Sequence, residues 1–160
     1  MISSIVARRA GMFALAVSAF TWVGSVRAND PAFSSLDAKA ITVSLPKEIP
    51  WKENKSGSAL AVLVGDPSKP GLYITLTKWH AGHMSRPHFH ANDRYITVIK
   101  GTWWVGTGKK YDPASTRAVP EGSFVTHTGK EIHYDGAKDG DVILQILGMG
   151  PAASIDAEEK

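Results

Sequence analysis

Residues 86–101 read RPHFHANDRYITVIKG. His88 and His90 stand two apart, and the run that follows, Arg94 to Lys100, is rich in Tyr, Ile, Thr and Val. Residues of that kind favour strands. On an extended chain the side chains at i and i+2 share a face, so His88 and His90 point one way and Phe89 the other. Two imidazoles so placed can chelate one divalent ion, each nitrogen at about 2.0–2.2 Å from it. The pair alone is weak evidence for a metal. Gly101 then closes the run, as a residue suited to turn the chain into a second strand, TWWVGT (102–107).

The same grammar extends in both directions. Short apolar or alternating runs recur as AITVSL (40–45), SALAVLV (58–64), GLYITLTKW (71–79), PHFHA (87–91) and RYITVIK (94–100). They continue as TWWVGT (102–107), TRAV (116–119), SFVTH (123–127), EIHYD (131–135) and DVILQILG (141–148). Turn-forming segments such as GDPSKPG, GTGKKYDP, PEG and GAKDGD separate them. No segment keeps a helical period over two turns. About ten short strands in roughly 110 residues predict an all-β sandwich or barrel. The expected organisation is a flexible arm at 29–39, a β-barrel domain at 40–148 and a polar, frayed tail at 149–160.

The first 28 residues are of another kind. Arg8 and Arg9 precede an apolar run from Ala10 to Val26, and Val26-Arg27-Ala28 supplies a cleavage site. This is the layout of an export signal, too short for a membrane span of about 20 residues. The protein is therefore expected in the periplasm or secreted, with no stable membrane insertion after cleavage. The Arg pair with Phe13 faintly suggests twin-arginine export, a route that suits a cofactor loaded before export. Cleavage takes Arg8, Arg9 and Arg27 from the 18 basic residues and leaves 15, against 15 acidic ones. With no polybasic patch, nucleic acid is an unsuited partner. There is no cysteine, so a packed core and not disulfides must hold the exported chain.

Gly82, His88, His90, position 94 and Gly101 fit the spacing G-x5-H-x-H-x3-[E]-x6-G, and Pro120-Glu121-Gly122 precedes His133. Together these resemble the two motifs of the cupin superfamily, small β-barrels with a ligand pocket between two sheets. The resemblance spans about residues 58–148. It implies a single antiparallel barrel, a jelly-roll-like double-stranded β-helix, and dimerisation through covered edges. It also implies a divalent metal (Fe, Mn, Ni, Cu or Zn) held by His88, His90 and His133. The third ligand needs one extra residue after Gly129, so His127 is its rival. The motif specifies the fold and not the reaction, because one fold carries many functions.

Position 94 departs from the pattern. The family's fourth ligand there is glutamate, and this chain has Arg94. A guanidinium donates hydrogen bonds, stays charged and cannot ligate a metal. Three arrangements answer the mismatch. In the first, three histidines leave open positions and Arg94 holds an anionic substrate, which offsets a charge of about +3 at the site. In the second, Glu131 completes the ligand set, since it would share His133's face on an extended chain. In the third, no metal binds and the pocket takes its ligand directly. Arg94 and Glu131 are thus the candidate catalytic residues beside the metal set.

Other residues have ordinary readings. His80 and His83 are expected at the surface, with a hydrogen bond to a ligand histidine as the alternative. One of Trp103 and Trp104 faces inward. Tyr134 should face away from His133. Gln145 meets either the pocket or the wet face of its strand. No Cys nucleophile and no G-x-S-x-G are present. Two functions stay open: a metal-dependent oxygenase, isomerase or lyase acting on a small molecule, and a small-molecule binding or sensing module without turnover.

Overall fold

Alternation of buried and exposed side chains writes the strands directly. In the computed structural model, which describes residue 33 and residues 35–160, Val142, Leu144 and Ile146 point inward along one strand while Ile143, Gln145 and Leu147 point out. The expected signal at 1–28 lies outside the described residues, as do residues 29–32 and 34 of the expected arm.

Eleven strands are present among the described residues. They are β1 (Lys52–Glu53), β2 (Ser58–Val64), β3 (Gly71–Trp79), β4 (His88–His90), β5 (Arg94–Lys100) and β6 (Trp103–Thr107). The chain continues through β7 (Arg117–Val119), β8 (Phe124–His127), β9 (His133–Gly136), β10 (Val142–Gly150) and β11 (Ser154–Asp156). They form a six-stranded sheet in the order β1-β2-β3-β10-β5-β8 and a five-stranded sheet in the order β11-β4-β9-β6-β7. Every named pairing is antiparallel. Two short 3-10 turns, Pro46–Glu48 and Pro113–Ser115, are the only helical elements among the described residues. This is the expected all-β architecture.

The core lies between the sheets. Tyr73, Trp79, Ile96, Val98, Leu144 and Ile146 from the larger sheet pack with Trp103 from the smaller one. Burying each such side chain contributes about 1.5–3 kcal/mol. One inward row crosses four strands of the larger sheet. His127 pairs with Arg94, Arg94 with Gly148, and Gly148 with Tyr73. Gly148 makes room there, because a Cβ at that position would lie 2.7 Å from the Tyr73 hydroxyl oxygen.

Two expected segments differ. Residues 40–45 are not a strand. The backbone N–H groups of Ala40 and Ile41 donate to the Asp37 carbonyl, and Lys39 N–H donates to the Asp37 carboxylate, so a turn takes donors that a ladder would need. That segment belongs to a unit ending at Leu45, separate from the barrel unit Pro46–Lys160. Nor is the tail frayed. β10 runs to Gly150, and β11 adds a strand beside β4, in the register Ser154–His90, Ile155–Phe89 and Asp156–His88. A polar sequence can still form an edge strand when its backbone has a ladder to join.

Candidate metal centre

Three histidines meet on the inner face of the five-stranded sheet. His88 and His90 are the first and last residues of β4, and His133 opens β9 directly opposite His88. Their candidate ligand nitrogens all lie within 4.8 Å of one another. Ring centroids are separated by 5.0 Å (His88–His90), 4.6 Å (His88–His133) and 5.5 Å (His90–His133).

The backbone orients each ring. His88 Nδ1 lies 2.7 Å from the Arg86 carbonyl oxygen, His133 Nδ1 3.0 Å from that of Glu131, and His90 Nδ1 3.1 Å from that of Ala153. A carbonyl oxygen can only accept, so Nδ1 carries the proton in all three rings and Nε2 is left with its lone pair. The Nε2 atoms of His90 and His133 are buried and have no hydrogen-bond partner. A buried polar atom without a partner needs an explanation, and an ion bound between the three rings supplies one.

Burial keeps two of the three rings, those of His90 and His133, neutral. It pulls His90 down to a pKa of about 3, with the nearby Arg94 charge acting the same way. It pulls His133 down to about 4, against the opposing influence of Asp135. Both residues are only 6 % exposed. At neutral pH they are in the form that ligates metals. The residues present therefore fit a divalent ion.

His127 is close but oriented otherwise. Its ring centroid is 3.8 Å from that of His133, and Arg94 Nη2 lies 3.2 Å from its Nδ1. The guanidinium can only donate, so His127 Nδ1 accepts and its proton sits on Nε2. His127 is thereby the support of Arg94, and its Nε2 has no free lone pair. Burial, then His133 and Arg94, hold its pKa at about 2. His127, His133 and Asp135 form a second cluster of possible donors. It shares His133 with the first, whose only free nitrogen is Nε2.

A cavity of about 670 Å³ is lined from both sheets, and His88, His90, Arg94 and Asp135 face it with Trp103 and Leu144. Arg94 stands at the start of β5 directly opposite His127, which is why the two side chains meet. Its Nε is buried without a partner. Burial lowers the Arg94 pKa, while Asp135 and Tyr73 raise it.

The sequence reading missed Asp135. This residue is 5 % exposed, and its Oδ1 accepts a hydrogen bond of 3.3 Å from Trp103 Nε1. It follows His133 by two on the same strand, so the rule that placed His90 beside His88 also finds it. Its charge brings the expected +3 of a metal-loaded site down to about +2. The structure does not bring the Glu131 carboxylate to the cluster. Strand β9 begins only at His133, Lys130 has φ 69 in the preceding turn, and the Glu131 side chain is exposed. Alternation carries forward from His133 and not backward. The part Glu131 plays at the site is its carbonyl. Asp93, adjacent to Arg94, accepts from Gly129 N–H at 2.7 Å.

The remaining residues take ordinary places. His80 pairs with Glu53 at 2.9 Å and with Asp141 at 3.5 Å, and Glu53 first among them raises its pKa. His83 Nδ1 bonds to the Ala81 carbonyl. Trp103 is the inward tryptophan, whereas Trp104 carries Lys138 over its ring. Tyr134 turns from His133 and bonds through its hydroxyl to Asp112 and Ser115. Gln145 lies on the outer face, between Leu76 and Thr97.

No protein-family model and no curated protein matches the chain. Solved structures do. The polyketide cyclase RemF from Streptomyces resistomycificus aligns with a TM-score of 0.62 at 12% identity, over 75% of this chain and 87% of that one. An RmlC-like cupin from Shewanella frigidimarina gives 0.54 at 12% identity, over 68% and 90%. The DMSP lyase DddQ from Ruegeria pomeroyi gives 0.54 at 17% identity, over 70% and 64%. At such identities the likeness speaks for the fold and not for the reaction. Two antiparallel sheets, a pocket lined from both and these likenesses agree: the chain has the double-stranded β-helix fold that cupins share.

Proposed function

We propose that the chain is an exported cupin that holds a divalent metal through Nε2 of His88, His90 and His133, and that it takes a small anionic molecule into the cavity beside Arg94. One observation carries the reading. Three Nδ1 atoms are committed to backbone carbonyls, so each ring has only Nε2 to offer; two of these are buried and unpartnered, and candidate ligand atoms of the three rings lie within 4.8 Å of one another. A bound ion would supply Lewis acidity and charge to a ligand in the cavity. Arg94, held by His127, offers a guanidinium to the ligand's negative group, with a geometry suited to a carboxylate. Asp135 sits across the same cavity as an acceptor. Neighbours of this fold include a polyketide cyclase and a DMSP lyase, both acting on small molecules, which agrees with a small-molecule ligand here.

Arg94 also supports a second reading, a barrel that binds its anion without any metal and without turnover. The two are separated by metal content. Protein purified without a histidine tag is reconstituted in turn with Mn(II), Fe(II), Ni(II), Cu(II) and Zn(II). Stoichiometric uptake is expected with at least one ion. His133→Ala should abolish it, because two imidazoles hold an ion far less tightly than three, and His127→Ala should retain it. Wild type that stays empty with all five ions would end the metal reading. Unchanged uptake by His133→Ala would end this ligand set. Export rests on residues 1–28 alone and predicts a mature N-terminus near Asn29. Dimerisation, the other expectation from the resemblance, is open to light scattering.

A further inference from the structure

We propose that the C-terminal segment, residues 151–160, is a positioning strap for two of the three metal ligands. The proposal rests on the metal site argued above. His88 and His133 each find their orienting carbonyl two residues back in the chain, at Arg86 and Glu131. His90 cannot do the same, because the residue two before it is His88, within the same strand. Its acceptor comes from the far end of the sequence, the carbonyl of Ala153, immediately before β11.

The strap reaches His88 by a second route. Arg86, whose carbonyl orients His88, has its side chain held from the tail. Arg86 Nε donates to Glu158 Oε2 at 2.8 Å, and Nη2 meets the other Glu158 oxygen. The guanidinium also lies over the Tyr111 ring at 3.8 Å. Between these points β11 pairs with all three residues of β4, Ala157 N–H donates to the Pro87 carbonyl at 3.0 Å, and Glu159 N–H to that of Lys109 at 3.1 Å. Ser154, Asp156 and Glu158 complete one wall of the cavity. A tail that served only to cover a sheet edge would need the β11 ladder. It would not need to supply the hydrogen bond that fixes the His90 tautomer, nor to grip the residue behind His88.

The test compares wild type, a chain ending at Gly150, and Glu158→Ala. Zinc affinity is measured by competition with a chelator, at a temperature where each protein is folded. Histidine tautomers are read by nitrogen NMR on the metal-free proteins. The shortened chain should bind zinc about tenfold more weakly or worse, the usual effect of removing a partner behind a ligand, and Glu158→Ala about threefold more weakly. In the shortened chain His90 should lose its fixed Nδ1–H form, while His133, which the strap does not touch, keeps its own. A purely structural tail would lower the melting temperature and leave both readings alone. Should the shortened chain fail to fold, Glu158→Ala decides. Zinc affinity within about twofold of wild type, together with unchanged His88 and His90 tautomers, overturns the strap. If wild type binds no zinc, affinity is measured with whichever of the five ions it takes up; if it takes up none, the metal reading fails, and the tautomers of the metal-free proteins still judge the strap by themselves.

Discussion

The six-stranded sheet is built on long strands, with β3 and β10 each nine residues long and paired in register over their whole length. The five-stranded sheet, which carries all three candidate ligands, has strands of three to five residues. Long strands bury an unbroken inward row, and that row is the core. Short strands end soon, and the carbonyls next to their ends fall outside the ladders. Arg86 and Glu131 lie two residues before β4 and β9, and Ala153 lies one before β11. Those three carbonyls orient the rings. One sheet therefore supplies cohesion, and the other supplies main-chain acceptors that set imidazole tautomers. The larger sheet brings Arg94 and His127 against the rings and lines the cavity with Leu144.

The contrast can be tested from its largest expected effect downward. Leu144→Ala, in the middle of β10, should lower unfolding free energy by about 2–5 kcal/mol in a denaturant titration. It should leave zinc affinity nearly unchanged when measured on folded protein. A comparable loss of zinc affinity would show that the sheets do not divide their roles.

The second test is pH. His90, His127 and His133 have pKa values held below the free histidine range, mainly by burial. The unfolded chain then binds more protons than the folded one between about pH 6.5 and each folded value. Metal-free protein should keep full stability above that window. It should lose about 1.4 kcal/mol per pH unit for each such histidine as pH falls through it. A flat profile from pH 7 to 4.5 would contradict the buried, neutral rings.

Arg94→Glu comes next. It removes a positive charge beside the rings and adds a carboxylate, so zinc affinity should rise about tenfold or more. Retention of a carboxylate probe such as oxalate should fall at the same time. An unchanged zinc affinity would place Arg94 electrostatically apart from the rings. The smallest effect is expected from Glu131→Gln, which keeps the backbone carbonyl and alters only an exposed side chain. Zinc affinity should stay within about twofold, and a larger loss would bring the carboxylate back into the ligand set.

Much of this was legible in the sequence. The runs at 58–64, 71–79 and 94–100 coincide with β2, β3 and β5, because long alternation between turn residues has one structural solution. The meeting of His88, His90 and His133 followed from spacing and resemblance. The failures share a cause. Residues 40–45 have strand-like composition, but composition does not say whether a ladder is at hand. Residues 154–156 look like tail, and a ladder happens to be there. Glu131 and Asp135 are equally far from His133, and only the onset of β9 tells which one shares its face. The tie between Arg94 and His127 depends on the register between β5 and β8, which no local pattern in either segment encodes.

The three groups that orient the candidate ligand rings are carbonyl oxygens, and every amino acid carries one. No side-chain replacement at position 86, 131 or 153 deletes the acceptor behind a ring. What holds the imidazoles is the route of the main chain past them. Lineages of this protein could exchange most neighbours of His88, His90 and His133 and still present the same three lone pairs, so long as the short strands end where they do. A comparison that scores residue identity would see such lineages drift apart while the centre stayed in place.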